Sequence, residues 1–245
     1  MPTTDVSKIL FIDIETVPIT SSMDEMGEEL AQLWNEKYRT IQKRFPEKYT
    51  AETTASEAFA LSAGIYAEFG RIICISAGYF YTRHNTTYFR TKSFAGHDEQ
   101  QILKEFADLL TRFCSTNDHT LCGHNIREFD IPYMCRRMLI NGIELPQVLQ
   151  LNGKKPWEVN FIDTLELWKF GDYKNYTSLK VLTAIFGIPT PKDDIDGSQV
   201  AAIYYQSKDV ERIRNYCQKD VVATAQVYLR LHGQPTIPTA NIEML

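Results

Sequence analysis

Asp13, Glu15, Asp130 and Asp220 are carboxylates placed where their neighbours predict buried apolar surface. They lie in three separated segments, Ile9-Leu-Phe-Ile-Asp-Ile-Glu-Thr16, Gly123-His-Asn-Ile-Arg-Glu-Phe-Asp130 and Tyr216-Cys-Gln-Lys-Asp220. A buried carboxylate is costly unless a charge partner or a metal holds it. No Lys or Arg falls within the apolar patterns beside these acids. A shared divalent cation, which prefers hard oxygen ligands, answers both the burial and the mutual repulsion.

Each segment has its own reading. Residues 8–14 are rich in apolar and β-branched types and predict a buried strand. Alternation along a strand puts Asp13 and Glu15 on one face, although Glu15-Thr16 would equally begin a solvated turn. Residues 209–231 predict a helix with Val210, Ile213, Cys217, Val221, Thr224, Tyr228 and Leu231 on one stripe. At about 100° per residue Asp220 falls inside that stripe, with Tyr216 one turn earlier on the same side. A structural Tyr–Asp hydrogen bond fits the same placement. Residues 120–123 read as a short strand, and Pro132 suits the first turn of a helix running to about residue 140. Asp130 then lies near the N-cap, so capping competes with metal binding as its role.

Taken together the segments resemble the exonuclease motifs of the DEDD superfamily, of the kind attached to family B DNA polymerases. Asp13-Ile-Glu15 resembles the first motif, Asn125-x3-Phe129-Asp130 the second, and Tyr216-x3-Asp220 the third in its tyrosine form; the histidine form would want His where Asn215 stands. From residue 66 to 231 the chain is similar to predicted stand-alone 3′–5′ exonucleases related to that polymerase domain. Gly187-Ile-Pro, Asp196-Gly-Ser-Gln-Val200 and Tyr216-Cys217-x2-Asp220-Val221 carry this match. The resemblance implies an α/β, ribonuclease H-like fold: a mixed five-stranded sheet flanked by helices. It implies two divalent ions about 3.5–4 Å apart, Mg²⁺ with Mn²⁺ able to substitute. Asp13, Glu15 and Asp220 hold the ion that activates water, Asp13 bridges to the second, and Asp130 supports it. Tyr216 orients the water, since a phenol titrating near 10 is a poor base at neutral pH. Thr16, Asn125 and Phe129 are the implied substrate contacts, Phe129 by stacking on the last base. The expected substrate is a single-stranded or frayed DNA 3′ end. An RNA substrate of the ribonuclease D kind and a catalytically silent nucleic-acid-binding module are the alternatives.

The bulk properties agree. Apolar residues make up 44% of 245, enough for a substantial core, and aromatics 12%. A net charge of −5 argues against attachment to duplex DNA through a broad basic face. Cys74, Cys114, Cys122, Cys135 and Cys217 show no C-x-x-C spacing and read as reduced thiols of a cytoplasmic protein. No secretion signal, transmembrane-length apolar run or polymerase segment is expected from the residues present.

The elements that must position the acids follow from periodicity. Residues 1–232 predict one domain with a helical insertion at about 17–67, and 233–245 a loosely packed tail. In the insertion Leu30, Leu33, Trp34, Tyr38 and Ile41 recur at helical spacing, and a second helix covers about 53–62. It is expected either as a hairpin packed on the sheet or as a lid over the 3′ end. Residues 71–81 and 86–93 predict strands joined by a turn at His84-Asn85, and 98–114 an amphipathic helix. A short strand at 160–164, a helix at 175–186 and a solvated loop at 190–198 complete the order; Asp163 stays outside the metal set.

Overall fold

A computed structural model describes residues 5–116, 118–172, 174, 176–189 and 195–245. Its centre is a mixed sheet of β1 (Ile9–Pro18), β2 (Gly70–Arg83), β3 (Thr86–Ala95), β4 (Thr120–Gly123), β5 (Ile162–Asp163) and β6 (Ile242–Met244). The strand order is β5-β4-β1-β2-β3-β6. β1 runs antiparallel to β2 and parallel to β4, so it is the central strand. The β2–β3 hairpin turns on His84 and Asn85, both left-handed at φ 49° and 57°, as a two-residue turn that matches strand twist requires. The helices are α1 (Glu28–Arg44), α2 (Ala55–Ser62), α3 (Glu99–Phe113), α4 (Asp130–Ile140), α5 (Thr164–Lys169), α6 (Leu179–Ile185), α7 (Val200–Ala202, continued by a π turn) and α8 (Val210–Leu231). This is the expected ribonuclease H-like architecture.

The two faces of β1 decide what packs where. Leu10, Ile12 and Ile14 enter a core with Leu103, Phe106 and Leu110 of α3 and Met134 and Met138 of α4. Ile9 and Phe11 face the other way, against Val221, Ala225 and Tyr228 of α8. Strand alternation carries the second row on to Asp13 and Glu15. Pairing with β4 covers only Ile9 to Phe11, so the acidic half of β1 extends beyond its parallel neighbour.

The insertion has its own core of Trp34, Tyr38, Ile41, Phe59 and Phe69. Leu33, expected in the apolar stripe, is 46% exposed, because the indole of Trp34, bonded to the Ala55 carbonyl at 2.8 Å, sets which face turns inward. A capping box between Thr54 and Glu57 starts α2. The insertion is docked on β1 at very close range. A Cβ on Gly64 would stand 3.1 Å from the Val17 carbonyl carbon, and one on Gly70 2.3 Å from the Tyr133 hydroxyl. That hydroxyl donates to the Gly64 carbonyl at 2.8 Å. The packed hairpin, rather than a free lid, is what the chain forms.

Two expectations need correction. The sheet has six strands, not five, and residues 233–245 are not loosely packed. The Gln226 side chain exchanges two 2.9 Å hydrogen bonds with the Ile237 backbone. β6 then pairs in parallel with β3, and Glu243 binds Arg90 at 2.6 Å. The edge of β3 offered unpaired backbone groups that the tail satisfies, and a three-residue strand is too short to show periodicity. The helix expected at 175–186 begins instead at Leu179, where Ser178 caps it. Residue 175 and the 190–194 part of the expected loop lie outside the described residues. Among those residues, no helix is long and apolar enough to cross a membrane.

A buried ion pair joins these layers. Arg137 of α4 meets Glu99 of α3 through two contacts of 2.9 and 2.5 Å and donates to the Ala67 carbonyl at 2.8 Å. Glu99 also accepts from the Ile72 backbone of β2 at 2.7 Å and from Asn141 at 3.1 Å. Arg137→Ala leaves that carboxylate buried without its cation, and a loss of about 3–5 kcal/mol is expected in urea unfolding. A loss below about 1 kcal/mol would show that water replaces the guanidinium.

Candidate active site

Asp13 and Glu15 leave β1 on the α8 side, Asp13 half-buried and Glu15 only 8% exposed. The register with β2 shifts between Glu15 and Thr16, a bulge that ends regular pairing beside the acids. α8 reaches them with Tyr216, Cys217 and Asp220, Tyr216 and Asp220 being one turn apart. The Cys217 thiol lies 3.3 Å from the Asp13 carboxylate and 3.4 Å from its backbone oxygen, tying α8 to β1. The ligand atoms of Asp13, Glu15 and Cys217 all fall within 4.8 Å of one another.

Asp130 arrives from the other side, in the first turn of α4 and 4% exposed. It is a first-turn residue rather than the cap, which is Phe129. The loop that delivers it is held from below by Asp163. That carboxylate accepts the Asn125 and Arg127 backbone N–H groups at 2.9 and 3.2 Å and that of Leu165 at 2.9 Å. Asn125 turns the loop at φ 65°, a left-handed conformation that Asn tolerates better than most residues. Arg127 donates to the carbonyls of Phe161 and Val159, each at 2.9 Å. His124 bridges the Thr164 hydroxyl and the Thr177 carbonyl, both at 2.9 Å. Sequence reading missed these supports: Asp163 and its partners are 36 to 38 residues apart, and no local pattern signals the pairing.

The four acids raise one another. Burial lifts Asp13 and Glu15 well above the ordinary carboxylate range, with Asp220 the strongest neighbouring charge for both and Asp130 adding to each. Asp130 is pushed up to about 7, mainly by burial, against backbone hydrogen bonds that include the Ile14 N–H. The Tyr216 phenol lies far above its usual value through burial and then Asp220, Glu15 and Asp13, and it shares a hydrogen bond with Asp220. It is therefore a protonated donor to that carboxylate. Among the described residues, no Lys or Arg is ion-paired with Asp13, Glu15 or Asp130. An all-oxygen acidic set without its own cation fits a hard divalent metal.

The remaining expected contacts cluster on one side of the acids. Phe129 packs on Tyr133 with ring centroids 5.4 Å apart. With Glu15 and Thr16 it lines a cleft of about 280 Å³ bounded by α2 and the turn after it. The Thr16 hydroxyl is hydrogen-bonded to Tyr133, so its side chain braces the insertion.

Residues 65–236 match a family described as a predicted 3′–5′ exonuclease related to the exonuclease domain of PolB, and the chain belongs to that family. The matched span contains Asn125, Phe129, Asp130, Tyr216 and Asp220. Asp13 and Glu15 precede it, and the fold is what brings them to the others. No curated protein matches the chain.

Raised carboxyl groups are a stability statement with a fixed sign. A carboxylate whose folded-state value lies above its unfolded value costs the fold stability as pH rises through that interval. At neutral pH the metal-free protein therefore carries this cost, and neutralising one acid relieves it. Asp13→Asn is expected to raise the thermal midpoint in EDTA. Mg²⁺ or Mn²⁺ is expected to raise the midpoint of the unaltered protein and to do so less for the variant. Scanning calorimetry reads both; a lower midpoint for Asp13→Asn in EDTA contradicts the assigned repulsion.

Proposed function

We propose that the chain is a two-metal 3′–5′ exonuclease that cuts the 3′-terminal phosphodiester of single-stranded or frayed DNA and releases nucleoside monophosphates. The observation that carries this reading is the convergence of Asp13, Glu15, Asp130 and Asp220 from three elements, with Tyr216 donating to Asp220. Family membership supports nuclease activity of this kind. The four acids would hold two divalent ions, Mg²⁺ with Mn²⁺ able to substitute, whose charge acidifies water and stabilises the attacking and leaving oxygens.

The chain's own groups have separable tasks in this scheme. Asp13, between Glu15 and Asp220, is the carboxylate best placed to be shared between ions. Asp130 supports from the α4 side. Tyr216 keeps its proton, so its task is to fix Asp220 and orient the attacking water rather than to accept a proton. Asn125 offers contacts to the terminal sugar or backbone, and Phe129 a ring face to the last base. The net charge of −5 supports a grip on few phosphates and hence a shallow salt dependence of binding. Five free cysteines support a reducing, cytoplasmic setting.

A 3′-labelled digestion series over single-stranded DNA, duplex DNA and RNA tests the assignment. Single-stranded DNA is expected to be degraded from the 3′ end with Mg²⁺ or Mn²⁺ and not in EDTA. Activity that survives EDTA, or degradation confined to RNA, overturns the metal or the substrate assignment respectively. Asp13→Ala and Asp220→Ala are expected to lower kcat by several orders of magnitude. Tyr216→Phe, which removes only a positioning donor, is expected to lose about 10–1000-fold. Equal, near-total loss in Tyr216→Phe would mean the phenol does more than orient.

A further inference from the structure

Leu61 and Ile65 are 69% and 53% exposed, although their neighbours Ala58, Phe59 and Ser62 are buried on the insertion side of α2. A single exposed Leu signifies little. These two, however, line the same 280 Å³ cleft as Phe129, and the cleft reaches Glu15. Three apolar side chains thus converge beside a carboxylate of the acidic cluster. The wall they sit on is fixed. Tyr133 bonds Gly64 at 2.8 Å and also engages Thr16. The close approaches at Gly64 and Gly70 leave the turn after α2 no room to shift toward the strand. Leu61 lies outside the family-matched span and Ile65 at its first residue, so this wall is largely the chain's own.

Resting on the exonuclease reading, we propose that Leu61 and Ile65, together with Phe129, hold the terminal nucleobase of the strand being cut. A flat base offers two faces, one for a ring and one for an aliphatic wall. The attached phosphodiester is then directed past Glu15 toward the other acids. Because the wall is docked rigidly on β1, it leaves room for one strand beside the acids, and a paired 3′ end must open before it enters. Apolar contacts do not read base edges, so the subsite tolerates any base.

The test uses the full chain with oligonucleotides carrying 2-aminopurine at the 3′ terminus or one position inward, bound in Ca²⁺. Terminal 2-aminopurine is expected to change its fluorescence on binding, and the penultimate one much less. In the doubly substituted Leu61→Gln, Ile65→Gln protein the terminal signal is expected to disappear. KM for single-stranded DNA is expected to rise about tenfold, the size of one base contact. The unaltered enzyme is also expected to prefer a normal 3′ terminus to an abasic one, a preference the variant loses. Both positions are exposed, so the variant folds; circular dichroism checks this, and Leu61→Ala alone gives a milder form of the same shift. An unchanged terminal signal, or an unchanged preference over the abasic end, overturns the proposal. Metal-dependent hydrolysis of bis(p-nitrophenyl) phosphate, which has no base, reports the exonuclease chemistry separately. A fluorescence change without any hydrolysis keeps the base subsite and rejects the nuclease reading.

Discussion

Repulsion among carboxylates at the end of β1 is the constraint around which the rest of the molecule is arranged. Asp13 and Glu15 sit on a strand whose first half is fully buried, and Asp220 and Asp130 add charge from α8 and α4. Nothing about isolated acids would assemble them; the apolar rows of β1 do. Ile9 and Phe11 demand a partner on one face and receive α8, while Leu10, Ile12 and Ile14 receive α3 and α4 on the other. Since strand side chains alternate strictly, a one-residue slip of β1 would turn Asp13 and Glu15 into the α3–α4 core. The hydrophobic register and the position of the acids are thus one specification.

The surrounding polar groups hold this arrangement without neutralising it. Asp163 secures the loop before α4 through backbone N–H groups, and Glu99 with Arg137 joins α3, α4, β2 and the end of the insertion. The nearest side chain linking α8 to Asp13 is the Cys217 thiol, a weak neutral donor. A lysine there would pair with Asp13 and compete with a metal for it. A thiol fixes the distance between helix and strand and leaves the carboxylate charge available.

How much of this was legible in the sequence depended on element length and on locality. The α8 stripe spans many turns, so its periodicity placed Tyr216, Cys217 and Asp220 on the inward side, where the structure has them. The alternation in β1 likewise put Asp13 and Glu15 on one face. Asp163 was readable only as a strand residue, because its role consists of hydrogen bonds to a loop distant in sequence. β6 is three residues long and pairs with a strand some 150 residues earlier, so neither its existence nor the sixth place in the sheet left a periodic trace. The insertion admitted two readings, hairpin or lid. The contacts that decide between them are absences of side chain at Gly64 and Gly70, which no hydrophobic pattern encodes.

The two residues of α8 that face the acids differ in what they can do, and the difference comes from the same electrostatic crowding. Charge from Asp220, Glu15 and Asp13, added to burial, makes ionisation of Tyr216 harder. The carboxylates that would attract a metal therefore also keep the phenol protonated. A phenol in that state donates a hydrogen bond and cannot take a proton from water. In the proposed reaction, the task of making water nucleophilic then belongs to the carboxylates and what they bind, and Tyr216 sets direction only. Being one turn apart on a helix clamped to β1 through Cys217, Tyr216 and Asp220 keep that direction as a rigid pair. The geometry of α8, more than the acidity of any single group on it, is what the tyrosine contributes.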